Sequence, residues 1–164
     1  MMKTRELTVT ALFVAIGILS AHLIYFPVLV SKCFPVQHAI NILLAVFLGT
    51  RYAFGASFLT ATMRNLLGTG TLLAYPGSMC GALLAGILYE RTRSIWGAII
   101  GEIVGTGIIG ALLAYPFADY VLGSDVGAFF FVVPFMISTV GGSVIAYVLL
   151  LTPIASYLRQ QFGK

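Results

Sequence analysis

One run of apolar residues, from Leu7 to Phe26, limits what this chain can become; Lys3 and Arg5 precede it and Pro27 closes it. Its twenty residues, at ~1.5 Å rise each, make ~30 Å, the thickness of one bilayer hydrocarbon core. A basic start before an apolar stretch also has the outline of a cleavable signal. Further apolar runs follow, so it reads as a retained first membrane helix. Of the 164 residues, 60% are hydrophobic and 9% charged, whereas a soluble domain carries roughly 25% charged residues. No stretch remains from which to build a second, soluble domain. The net charge of +4 comes from basic residues dispersed at helix ends. That dispersal argues against nucleic acid as a partner, which needs a clustered patch.

The remaining runs place helices at about 36–50, 52–67, 77–90, 95–116 and 128–158. With 7–26 they give the expected fold class: an all-α membrane protein, six transmembrane helices in a compact bundle, forming one integral-membrane domain over 1–164. Val28 to Pro35, carrying Lys32, Cys33 and Phe34, reads as a re-entrant or interfacial loop. The second and third helices are short, so tilted neighbours must shelter their ends. Pro134 and Pro153 are expected to bend the last helix or mark its ends. An inward N-terminus puts Lys3, Arg5, Arg51, Arg91, Arg93, Arg159 and Lys164 on the inner side. Only Lys32, with Asp119 and Asp125 near it, then faces out. This positive-inside asymmetry predicts cytoplasmic termini and an outward-facing stretch from Arg64 to Ser78. Trp96 is expected to anchor the start of helix five at the inner face.

The outward stretch is the least membrane-like part of the chain. Arg64 and Asn65 end an apolar run, Gly68-Thr69-Gly70-Thr71 follows, and Tyr75-Pro76-Gly77 opens a new helix. A guanidinium at such a place needs a partner and marks a functional candidate. Backbone N–H groups, hydroxyls and an aromatic beside it are the equipment of a small-ligand pocket. Small residues recur at four-residue spacing: Ala11 and Ala15; Gly77, Gly81 and Ala85; Gly97, Gly101 and Gly105. Such ridges let backbones approach in lipid, for internal packing or for a partner. Cys33 and Cys80 lack metal-ligand spacing and are read as two buried thiols, with a disulfide the alternative. No phosphate loop, H-E-x-x-H or G-x-S-x-G motif appears, and no inverted repeat. A small membrane protein without a motor suggests a substrate-capturing subunit that takes its energy from partners.

Four segments carry a resemblance: Cys33 to Asn41, Arg64 to Leu73, Pro76 to Met79, and Gly101 to Gly110, which includes Glu102 and Thr106. They resemble the ThiW family over essentially the whole chain. The resemblance implies the substrate-binding S component of an energy-coupling-factor importer, with no enzymatic activity and no cofactor. It implies 4-methyl-5-(2-hydroxyethyl)thiazole as ligand, and as partners a membrane coupling subunit and two cytoplasmic ATPases. In that class an Ala-x-x-x-Ala pattern on helix one contacts the coupling subunit, which Ala11 and Ala15 match. Whole-thiamine importers stack the vitamin on tryptophans; this chain has none on the outer side, which suits a single-ring ligand.

The polar residues keep more than one reading. His38 and Asn41, three apart on one helix face, serve as interhelical hydrogen bonders or ligand contacts. Glu102, about 10 Å into helix five, must be protonated, paired or hydrogen-bonded. A buried Arg64–Glu102 pair is the structural alternative; in the favoured mixed case Arg64 orients Glu102, which faces the pocket. Asn65, Thr69, Thr71 and Ser78 offer hydrogen bonds, and Tyr75, Tyr115, Phe129 and Phe130 aromatic faces for the ring. Other architectural fits are an S component for another vitamin, a self-sufficient oligomeric channel, or a membrane enzyme using His38, Cys33 or Glu102.

Overall fold

The computed structural model describes residues 4–28, 31–121, 123, 127 and 129–162. Lys3, Asp125, Ala128 and Lys164, which enter the charge and helix assignments above, lie outside the described residues. Helices follow one another almost without interruption: α1 (Thr4–Leu23), α2 (Pro35–Phe47), α3 (Thr50–Leu66) and α4 (Ala74–Thr92). A second group follows, α5 (Ile95–Val104), α6 (Ala111–Pro116), α7 (Val132–Leu150) and α8 (Pro153–Phe162). Three helical stretches, Thr4–Leu23, Ile95–Tyr120 and Val132–Leu150, are long and apolar enough to cross a membrane. The chain is an all-α membrane protein.

Three local expectations need correction. First, the connection after α1 contains an antiparallel hairpin, β1 (Phe26–Val28) and β2 (Ser31–Cys33), pairing Phe26 with Cys33 and Pro27 with Lys32. Strand pairing satisfies backbone groups that a bare loop would leave to water. Second, the helix placed at 95–116 continues to Val121 through two wider π-helical segments, Gly105–Gly110 and Phe117–Val121, on either side of α6. Third, 128–158 is two helices, broken at Pro153, whose missing N–H ends α7; the Thr152 hydroxyl accepts from Ala155 N at 3.4 Å and starts α8. Pro134 causes no bend, because it falls in the first turn of α7, where its N–H has no helical partner.

Helix α2 is the centre of the bundle. Every residue of it except Val36 is buried, and it packs most heavily on α7 and α4. Around it α4 lies against α5 and the first π segment, backbone on backbone. A Cβ added to Gly105 would stand 2.5 Å from the Cys80 carbonyl oxygen, and one on Gly101 2.5 Å from that of Leu84. The glycine ridges of these two helices therefore serve internal packing. Gly142 on α7 does the same for α2, where a Cβ would meet Pro35 O at 2.4 Å. Gly49 adopts φ +91 at the α2–α3 turn, and the Glu90 carboxylate accepts from Thr50 N at 2.9 Å, capping α3 from the end of α4.

The two ends of the described chain lie together: Arg5 Nη1 donates to Gln161 Oε1 at 3.0 Å, and the Arg5 guanidinium stacks over Phe162. On α1, Gly17 faces inward against Thr60 and Ile40, while Ala11 and Ala15 sit on the exposed face among Leu12, Ile16 and Leu19. Both cysteines are free. Cys33, in β2, donates from Sγ to Pro134 O at 3.2 Å, and burial pushes its thiol pKa up, which keeps the proton in place. Trp96 is exposed and packs against Tyr147.

A pair of alanine substitutions tests the glycine contact. Gly105→Ala should lower stability by about 1–3 kcal/mol, the usual cost of overpacking. Gly55→Ala on α3, where an added Cβ meets nothing within 4 Å, should raise it by roughly 0.5–1 kcal/mol. Thermal denaturation of both variants in detergent provides the comparison.

Candidate functional site

At the end of the bundle away from the termini, the hairpin, the first turns of α2, α4 and α7, the 68–73 loop and the first π segment enclose a cavity of about 420 Å³. That falls within the 300–1,000 Å³ typical of small-ligand sites. Its wall combines the aromatic rings of Phe34, Phe130, Phe131 and Phe135 with polar side chains, among them His38, Arg64, Ser78 and Thr106.

Arg64 closes the last turn of α3 and shapes the loop after it. Gly68 takes φ +72, which turns the chain back so that Thr69 N and Gly70 N each donate to Arg64 O at 2.9 Å. Those loop N–H groups are therefore used internally and are not offered to a ligand. The Arg64 side chain is 2% exposed. It donates from Nη1 to Gln37 Oε1 and from Nη2 to Thr69 O at 3.2 Å, and lies 3.7 Å above the Phe34 ring. No ion pair joins it to Glu102; the expected pairing of those two residues is replaced by two separate arrangements.

Glu102 pairs with His38 instead, Nδ1 to Oε1 at 2.8 Å. The same oxygen accepts from Asn41 Nδ2 at 3.1 Å, and the Thr106 hydroxyl lies 3.0 Å from it and 3.2 Å from Gly77 O, sharing one proton. Asn41 Nδ2 also donates to Ser78 O at 3.2 Å. Two glycines make room for this network. A Cβ on Gly81 would stand 2.1 Å from Thr106 Oγ1, and one on Gly142 2.6 Å from His38 Cβ.

The residues singled out from sequence therefore divide into three groups. His38, Arg64, Thr69, Thr71, Ser78 and Thr106 line the cavity. Asn41 and Glu102 are buried behind that lining, so Glu102 does not face the pocket as expected. Asn65, Tyr75 and Tyr115 lie away from it. Asn65 braces the loop through Ala61 O and Thr71 O at 2.8 and 3.1 Å; Tyr75 donates to Thr62 Oγ1 and borders a separate apolar groove with Phe54 and Phe117. Phe130 lines the cavity, while Phe129 is 74% exposed. Sequence reasoning missed Gln37, Phe135 and Ser138 as lining residues. Gln37 stands beside His38, and its position two residues after a proline at a helix start was the available signal. Phe135 and Ser138 gave none, being apolar or small in an apolar run. Among the described residues no three His, Cys, Asp or Glu are grouped to hold a metal.

A family model described as thiamine-precursor transporter protein (ThiW) matches residues 7–155. The matched stretch takes in every element that lines the cavity. Neither a curated protein nor a solved structure matches the chain.

Arg64→Lys tests the role of the guanidinium. An ammonium keeps the charge but loses the planar stack on Phe34 and the two-sided reach to Gln37 and Thr69. Stability should fall by about 1–3 kcal/mol, the cost of leaving buried acceptors without donors, read from the detergent melting curve.

Proposed function

The chain belongs to the ThiW family of thiamine-precursor transporters, and on that premise we propose that it is the substrate-binding S component of an energy-coupling-factor importer. It captures 4-methyl-5-(2-hydroxyethyl)thiazole at the outer face and releases it inward when a membrane coupling subunit and two cytoplasmic ATPases drive the cycle. In this reading α1, α2, α3, α4, the rod from α5 through the second π segment, and α7 are the six spans. Both termini are cytoplasmic, and the cavity opens outward, as the distribution of basic residues suggests.

The cavity itself carries the reading. A thiazole ring needs an apolar aromatic surface, and its hydroxyethyl arm needs groups that donate and accept. The cavity sets four phenylalanines against His38, Ser78, Thr106 and Ser138, the mixture of apolar walls and few polar groups expected of such a site. The exposed Ala11–Ala15 strip on α1 supports the partner assignment, because small residues on an unpartnered face allow a second helix to come close.

Two measurements test this function. Titration calorimetry should show that the thiazole alcohol binds the protein alone, and Phe130→Ala should weaken binding by about 0.5–1.5 kcal/mol through the lost ring contact. Absence of binding would overturn the ligand; flux into liposomes without ATPases would turn the reading to a facilitator. Ala11→Leu with Ala15→Leu should abolish uptake in the assembled transporter and leave that affinity unchanged. Normal uptake by the double variant would remove α1 from the coupling surface.

A further inference from the structure

The hydrogen bonds around Glu102 fix more than the carboxylate. Ser78 O is a carbonyl and can only accept, so the Asn41 atom 3.2 Å from it is the amide nitrogen. That nitrogen donates its second hydrogen to Glu102 Oε1 at 3.1 Å, which makes Oε1 an acceptor. With Glu102 ionised, His38 Nδ1, 2.8 Å from the same oxygen, is an N–H donor. A neutral imidazole with its proton at Nδ1 has a bare, accepting nitrogen at Nε2. His38 is 8% exposed and lines the cavity, and Nε2, on the opposite edge of the ring from Glu102, has no protein partner among the described residues.

We infer that Glu102 is a positioning residue that holds His38 as the Nδ1–H tautomer, so that Nε2 stands in the cavity as an acceptor and selects ligands whose arm ends in a hydroxyl donor. The inference rests on the proposed capture of the thiazole alcohol and adds the group that reads its hydroxyl. Glu102 acts entirely through the ring, since the carboxylate has no exposed surface. Gly142 fixes the other side of His38, where an added Cβ would clash with the residue's own Cβ. An acceptor held in this way discriminates strongly, because a ligand without the matching donor leaves it desolvated and unpaired.

Two experiments on the full-length protein in detergent test it. The chain has two histidines, His22 and His38, so ¹⁵N-histidine labelling gives two ring systems, assigned with His22→Gln. His38 should show a protonated Nδ1 and a bare Nε2. A proton at Nε2, whether alone or with one at Nδ1, overturns the proposal without any substitution in the Glu102 network. In the second experiment, the thiazole alcohol should bind at least about tenfold more tightly than its methyl ether, whose oxygen accepts but cannot donate. Glu102→Gln, a weaker acceptor than a carboxylate, should raise the Nε2–H population and shrink that ratio. Equal binding of alcohol and ether, or an unchanged ratio and tautomer in Glu102→Gln, refutes the positioning role. If neither thiazole binds while the Nδ1–H tautomer is seen, the ligand assignment falls and the tautomer lock stands.

Discussion

Glu102 has no exposed surface, and its Oε1 draws donors from two different elements while Oε2 has no protein partner among the described residues. His38 and Asn41 come from α2 and Thr106 from the π segment. The donors then tie down a third element, because Asn41 and Thr106 also reach the carbonyls of Ser78 and Gly77 at the start of α4. A buried charge left without these partners would cost several kcal/mol. Buried pairs of this kind add little net stability over an apolar core, so what the network contributes is a single register between α2, α4 and the π segment. The glycines follow from it. Gly81 has no side chain because the network occupies the space where one would project.

Much of the bundle was legible because apolar runs, prolines and glycine spacing report on lipid and on helix contacts directly. The run from Leu7 to Phe26 and the helix Thr4–Leu23 differ only by a shift of three residues. Gly81 and Ala85 on one helix meet Gly105 and Gly101 on the next, as their spacing implied. The break near Pro153 was half legible: a proline marks an end or a bend, and only the Thr152 cap decides for an end. The π segments were invisible, since their residues are as apolar and as small as those of an α-helix. The place of the first one next to Glu102 fits the tendency of such segments to occur at functional sites.

The site was legible in its residue types and not in its pairing. Arg64 and Glu102 are the conspicuous charges, and opposite charges invite pairing on paper. Each had a nearer partner that sequence does not rank highly: a glutamine and a phenylalanine ring for Arg64, a histidine for Glu102. By its composition the loop from Gly68 to Thr71 offers its backbone to a ligand. A single left-handed glycine turns the Thr69 and Gly70 N–H groups back onto Arg64 instead. Phe34 enters the cavity beside the hairpin, through a long-range arrangement that local pattern does not encode.

Helix α2 has 13 residues, which at ~1.5 Å each is ~20 Å of rod, about 10 Å less than the hydrocarbon thickness it stands in. An outer helix of that length would force the bilayer to thin around it. Buried along almost its whole length among its neighbours, α2 is free of that constraint. The cavity and the hairpin lie at its N-terminal end, where Phe34, Gln37 and His38 enter the lining. The first turn of this short central helix thus carries His38 to the recess at its end, so the same helix supplies both the core of the bundle and part of the lining of the cavity.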